Sequence, residues 1–122
     1  MTDEPRKGFY RTQLIRKALH VGVMIWWGRP VVDGERQERS PRWCVAVDGR
    51  SDKWDDEAQC HVPLDVFDVW PWCGREPITH REFAFLKRRA LWAREHAPEH
   101  PAANPRQAID RRKLKPLIGG RG

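Results

Sequence analysis

The sequence predicts an α+β fold: a small antiparallel β-hairpin or sheet packed against one main α-helix, with an extended, proline-rich, basic C-terminal tail. Three observations carry that prediction. Residues 18–28 and 42–48 alternate apolar and polar positions with β-branched and aromatic residues dominating, which is the period of a half-buried strand. Residues 77–97 have a helical start, period and stop that agree with one another. Three prolines fall in the eight residues from Pro98 to Pro105, too many for the helix to continue.

Taken in order, residues 1–8 read as a flexible leader, polar and broken by Pro5 and Gly8. Phe9, Leu14, Ile15 and Ala18 are loosely helix-spaced and suggest a short helix over 9–17. In the first strand Leu19, Val21, Val23, Ile25 and Trp27 share the face expected to look inward. Arg29-Pro30 ends it, and the polar run 32–41, containing Asp33-Gly34, is an excursion. Trp43, Val45 and Val47 then face one way in a second strand that closes at Asp48-Gly49, pairing antiparallel with the first.

Residues 51–59 are acidic and read as irregular, with Trp54 plugging the core. Val62 to Trp70 suits a short helical turn after Pro63, and the same residues would also fit a sheet edge. Trp70-Pro71-Trp72-Cys73-Gly74 reads as a tight connector, because proline biases the residue before it away from helix. In the main helix Thr79 and Glu82 form a capping box, with Ile78 and Phe83 placed as a hydrophobic staple. Phe83, Leu86, Ala90, Ala93 and Ala97 make the inner stripe. Phe85 and Trp92 form a second apolar patch, which another element or another molecule should cover. Beyond Ala97 an extended wall is expected, giving one domain over 9–105 and a basic tail over 106–122.

At 122 residues the chain is long enough for one modest core. It has no apolar run of membrane-spanning length and no apolar leader, so a cytoplasmic protein is expected. Three cysteines without a compact repeat fit reduced thiols better than disulfides. The formal net charge is +6, with basic ends and an acidic middle. That balance points to nucleic acid or an acidic protein surface as the partner, unless the basic ends fold back onto the chain's own acids.

The basic groups are the strongest functional signal. Arg81 and Arg88 share one helical face and Lys87 and Arg94 another, while Arg106, Arg111, Arg112, Lys113 and Lys115 follow in the tail. The expected contact surface is therefore Lys87, Arg88, Arg94, Arg106, Arg111, Arg112, Lys113 and Lys115, with Phe85 and Trp92 as anchors should the partner be a protein. Trp26, Trp27, Trp43, Trp70, Trp72 and Trp92 are expected to pack in the core rather than stack on bases.

Other chemistry is weakly signalled. Cys44, Cys60, His61, Cys73 and His80 include zinc-ligand types, but the paired spacing of a compact site is missing, so buried thiols and surface histidines are the expectation, with no metal and no cofactor. His96, His100 and Asn104, with Asp110, compare thinly with a metal-dependent hydrolase or nuclease. His96 in the last helical turn has a structural reason to be there, since the helix dipole favours it. No glycine-rich phosphate loop and no G-x-S-x-G is present.

The runs W-P-W-C-G-R-E-P-I-T-H-R-E-F-A-F-L, W-A-R-E-H-A-P-E-H-P-A-A-N-P-R and I-D-R-R-K-L-K-P-L, with W-W-G-R-P and S-P-R-W before them, resemble small uncharacterised proteins encoded in prophage-like regions of bacterial genomes. The resemblance spans most of residues 24–118 and implies a mobile-element setting, with no catalytic residues to transfer. A non-enzymatic binding protein, acting on nucleic acid or on a host machine that handles it, for instance as an inhibitor of host defence, is the expected function. The alternatives are the hydrolase above and a phage structural or assembly component.

Overall fold

A computed structural model describes residues 4–107. Four strands form an antiparallel sheet in the order β5-β2-β1-β8, from β1 (Gly8–Gln13), β2 (His20–Gly28), β5 (Arg42–Val47) and β8 (Pro77–Ile78). Two hairpins stand beside it: β3 (Val31–Val32) with β4 (Glu35–Arg36), and β6 (Asp52–Asp55) with β7 (Cys60–Pro63). Two helices complete the α+β architecture, α1 (Val66–Cys73) and α2 (His80–His96), and a 3-10 turn at Pro101–Ala103 closes the described chain. No helix among the described residues is long and apolar enough to cross a membrane.

β2 explains the layering. Val23 and Ile25 on one face join Tyr10, Val45, Val66 and Cys73 in the buried core, so α1 covers that side. On the opposite face Gly22 lies against α2. A β-carbon built on Gly22 would stand 2.9 Å from Cδ1 of Phe83, a ring whose centroid is 4.7 Å from that of Phe9. Only glycine lets the helix come this close. Both sides of β2 are thus covered, by bulky residues towards α1 and by the absence of a side chain towards α2.

Several local expectations are corrected. Residues 8–13 form strand rather than helix, because Tyr10 and Thr12 alternate inward, at 5% and 7% exposure, and pair with Val23 and Val21 of β2. The Tyr10 hydroxyl donates to the carbonyl of Arg6 at 2.8 Å. Residues 52–55 are a strand paired with 60–63, and Trp54 stands 51% exposed instead of plugging the core. The expected connector at 70–74 is the second half of α1, with Pro71 inside the helix. Asp65 caps that helix by accepting from the Phe67 amide at 2.9 Å, and burial of Val66 and Cys73 holds it despite the bond Pro71 cannot donate. The proline-rich wall turns compactly instead of extending: His100 Nδ1 accepts from the Ala102 amide at 2.9 Å and caps the 3-10 turn.

α2 keeps its expected boundaries, with the Thr79 hydroxyl accepting from the Glu82 amide at 3.1 Å. Ala90 and Ala93 are buried on its inner stripe, and Leu86 and Phe83 are partly buried. Two reversals carry positive φ at both central residues, as two-residue turns require: Asp33-Gly34 (51° and 76°) and Asp48-Gly49 (52° and 81°). The second sends the chain back so that Arg50 bridges to Val47.

Candidate anion-binding cleft

Two adjoining hollows run between α2, the Asp48-Gly49 turn and the β6–β7 hairpin, sharing Asp48, Arg50 and Arg94 along their common border. The first, about 550 Å³, has Met24, Ala46 and Phe83 among its apolar lining, with Lys87 on its wall. The second, about 730 Å³, gathers Arg50, Lys53, Arg94 and Arg106 around Leu14, Val47 and Leu64. Five cations from three stretches of the sequence thus line one surface. Four local devices deliver them. The Asp48-Gly49 turn reverses Arg50 into place, β6 carries Lys53, and one edge of α2 presents Lys87 and Arg94 seven residues apart. The 3-10 turn brings Arg106 back beside them.

Asp48 and Asp52 are the acids in this lining. The Arg94 guanidinium donates to Asp48 Oδ2, and the Asp48 side chain is only 12% exposed. Burial pushes the Asp48 carboxyl above its usual range, more than the pull of Arg94 lowers it. Arg94 is therefore partly committed to the fold. Arg50, Lys53, Lys87 and Arg106 make no ion pair among the described residues. Trp54 adds a half-exposed indole to the wall of the larger hollow.

The contact residues expected from sequence divide into three groups. Lys87, Arg94 and Arg106 line the cleft. Phe85, Arg88 and Trp92 lie exposed on α2 and not in the cleft, with Phe85 at 54% and Trp92 at 52% exposure. Arg111, Arg112, Lys113 and Lys115 lie outside the described residues. Arg50 and Lys53 escape a sequence reading because they stand alone among acidic neighbours. The turn signal at Asp48-Gly49, two residues ahead of Arg50, is what relocates them. The expected core tryptophans also divide: Trp70 packs edge-on against Tyr10, whereas Trp27, Trp72 and Trp92 are more than half exposed.

The five zinc-ligand types do not gather. Cys44 is buried and its thiol donates to the Gly28 carbonyl at 3.3 Å, while Cys73 is fully buried and its pKa is pushed up by burial to about 11. Cys60 is exposed on the β6–β7 hairpin, and the His80 ring rests 5.0 Å from that of Phe9. The residues of the hydrolase alternative have structural partners of their own. His100 spends Nδ1 on its cap, Asn104 donates to the carbonyls of Pro98 and His100 at 2.7 and 3.1 Å, and His96 is exposed beside Glu95. Asp110 lies outside the described residues. One group of metal-capable donors does come together among the described residues, and it was not expected: Asp33, Asp52 and His61.

No family model, no curated protein and no solved structure matches the chain.

Proposed function

We propose that the protein is a non-enzymatic binding module that holds single-stranded nucleic acid by its phosphates along this cleft. The observation that carries the reading is the convergence of Arg50, Lys53, Lys87, Arg94 and Arg106 on two adjoining hollows. A row of cations over an apolar floor binds a polyanion by displacing its counterions, without regard to sequence. Trp54 on the wall of the larger hollow offers a face on which a base stacks, and this favours single strands, whose bases are free to leave their neighbours. The basic tail would extend the same electrostatic track, and the mobile-element setting implied by the sequence resemblance suits a protein that meets foreign or host nucleic acid.

Anisotropy titrations with random-sequence single strands and duplexes at low salt test the proposal. Binding to single strands that weakens as salt rises supports it, and no binding to either removes it. A second reading, favoured by the exposed Phe85, Arg88 and Trp92 on α2, is docking on an acidic protein surface of a host machine that handles nucleic acid. Capture of a host protein that survives nuclease treatment and is lost in Trp92→Ala would support that reading instead.

A further inference from the structure

We propose that Asp33, Asp52 and His61 form a binding site for one divalent transition-metal cation, Zn2+ or Mn2+. The three come from separate segments: Asp33 from the turn between β3 and β4, Asp52 from the start of β6, and His61 from β7, cross-strand from Trp54. One donor atom from each lies within 4.8 Å of the others. Asp52 Oδ1 is 3.9 Å from Nδ1 of His61, whereas the 4.0 Å approach of Asp33 Oδ1 is to the other ring nitrogen, Nε2. These separations are too long for hydrogen bonds. An ion bound at about 2.0–2.2 Å from each donor would require the donors to stand roughly 3.0–3.5 Å apart, so the Asp33 carboxylate, 71% exposed, must swing to the Nδ1 edge of the ring to share the ion with Asp52.

A second observation points to a ligand independently of the carboxylates. Nδ1 of His61 is hidden from solvent and has no hydrogen-bond partner, an unusual state for a buried imidazole nitrogen. The surroundings also resemble the supporting shell of a metal centre. Asp52 uses its other oxygen, Oδ2, to accept from the Asp33 backbone amide at 2.6 Å, which leaves Oδ1 turned towards the imidazole. Trp54 lies edge-on to the His61 ring at 5.4 Å and restricts its rotation.

The donor set selects the ion. One imidazole with two carboxylates suits Zn2+ or Mn2+, while Mg2+ and Ca2+ prefer oxygen alone, and no thiolate is in the group to draw softer ions. Three protein donors leave at least one position open to water. Asp52 and His61 both line the larger hollow, so a bound ion would add positive charge beside Lys53 and Arg50. The site stands whether or not the cleft binds nucleic acid, because its evidence is the donor cluster and the unpartnered Nδ1 of His61.

The test is calorimetric titration of the full chain, stripped with a chelator and exchanged into metal-free buffer, with Zn2+, Mn2+, Mg2+ and Ca2+ in turn. One equivalent of Zn2+ or Mn2+ is expected, with Mg2+ and Ca2+ far weaker. His61→Ala and Asp33→Asn should each weaken binding at least about tenfold. Asp33 has a side chain 71% exposed in a turn, so its variant keeps the fold, which circular dichroism verifies. Cys60→Ser is the control, since Cys60 is exposed and adjacent to His61 in sequence, and it should bind like the parent. Absence of saturable binding overturns the proposal, as does binding that survives both ligand variants or disappears in Cys60→Ser.

Discussion

Removing the cleft cations should change how binding responds to salt more than it changes the fold. The triple variant Arg50→Ala, Lys53→Ala, Arg106→Ala deletes three charges that have no ion pair among the described residues. Arg94 is left in place because Asp48 depends on it. For a single strand each lost phosphate contact lowers the slope of log affinity against log salt by about 0.7, so three contacts lower it by about 2. Between about 50 and 200 mM salt the parent should then lose roughly twentyfold more affinity than the variant. Fluorescence anisotropy with a labelled random-sequence strand, repeated over a salt series, measures both slopes. Trp54→Ala should weaken binding by about 1–3 kcal/mol without altering the slope, since stacking releases no counterions. Equal slopes for parent and triple variant would refute the electrostatic reading of the cleft. A quadruple variant of Arg111, Arg112, Lys113 and Lys115 to alanine would show whether the tail carries the salt dependence instead.

Three further outcomes are expected. Gly22→Ala places a β-carbon 2.9 and 3.1 Å from two atoms of the Phe83 ring, where 3.4 Å is ordinary contact; overpacking of about 1–3 kcal/mol, less the about 0.5–1 kcal/mol that alanine gains over glycine in a strand, leaves a net loss of up to about 2.5 kcal/mol. Urea melts should show a lower midpoint at unchanged slope, and Phe83→Leu should recover part of the loss in the double variant. His20 has its pKa lowered by burial, then by Arg11 and Arg89, against an opposing pull from Glu76. Its contribution to stability is therefore full above the ordinary value of 6.5 and lost as pH falls through the folded value, and His20→Gln should flatten the stability profile in that acid window. In the native protein Cys60 should react rapidly with a thiol reagent at neutral pH, while Cys44 and Cys73, both buried and with raised pKa, react only as fast as the chain opens.

What could be read from the chain follows the range of the interactions involved. α2 was legible because its cap, its stripe and its stop at Pro98 are all local signals. β2 and β5 were legible from alternation, down to their antiparallel pairing. β1 was misread because Phe9, Leu14 and Ile15 imitate a helical spacing, while the inward pair is Tyr10 and Thr12, whose polar atoms disguise a buried face. α1 runs through Pro71 because the Asp65 cap and the burial of Val66 and Cys73 outweigh one missing hydrogen bond. Trp54 looked like a core residue only because its partner strand, with His61 opposite, was not recognised. The cleft was half visible: Lys87, Arg94 and Arg106 declare themselves by charge and spacing, whereas Arg50 and Lys53 join them only after two turns and a hairpin are in place. The same distance in sequence hides the convergence of Asp33, Asp52 and His61.

The sheet's two faces differ in how firmly they are roofed. The α1 side holds Val23, Ile25, Val45 and Cys73 at no more than 1% exposure, whereas the fully covered residues of α2 are two alanines. Small side chains grip shallowly, so amide exchange should release α2 at a lower free energy than β2 and β5. Because α2 carries Lys87 and Arg94, this wall of the cleft is also freer to breathe than the sheet it covers. A bulky guest would thus be admitted by tilting a helix, with the layer beneath β2 left undisturbed.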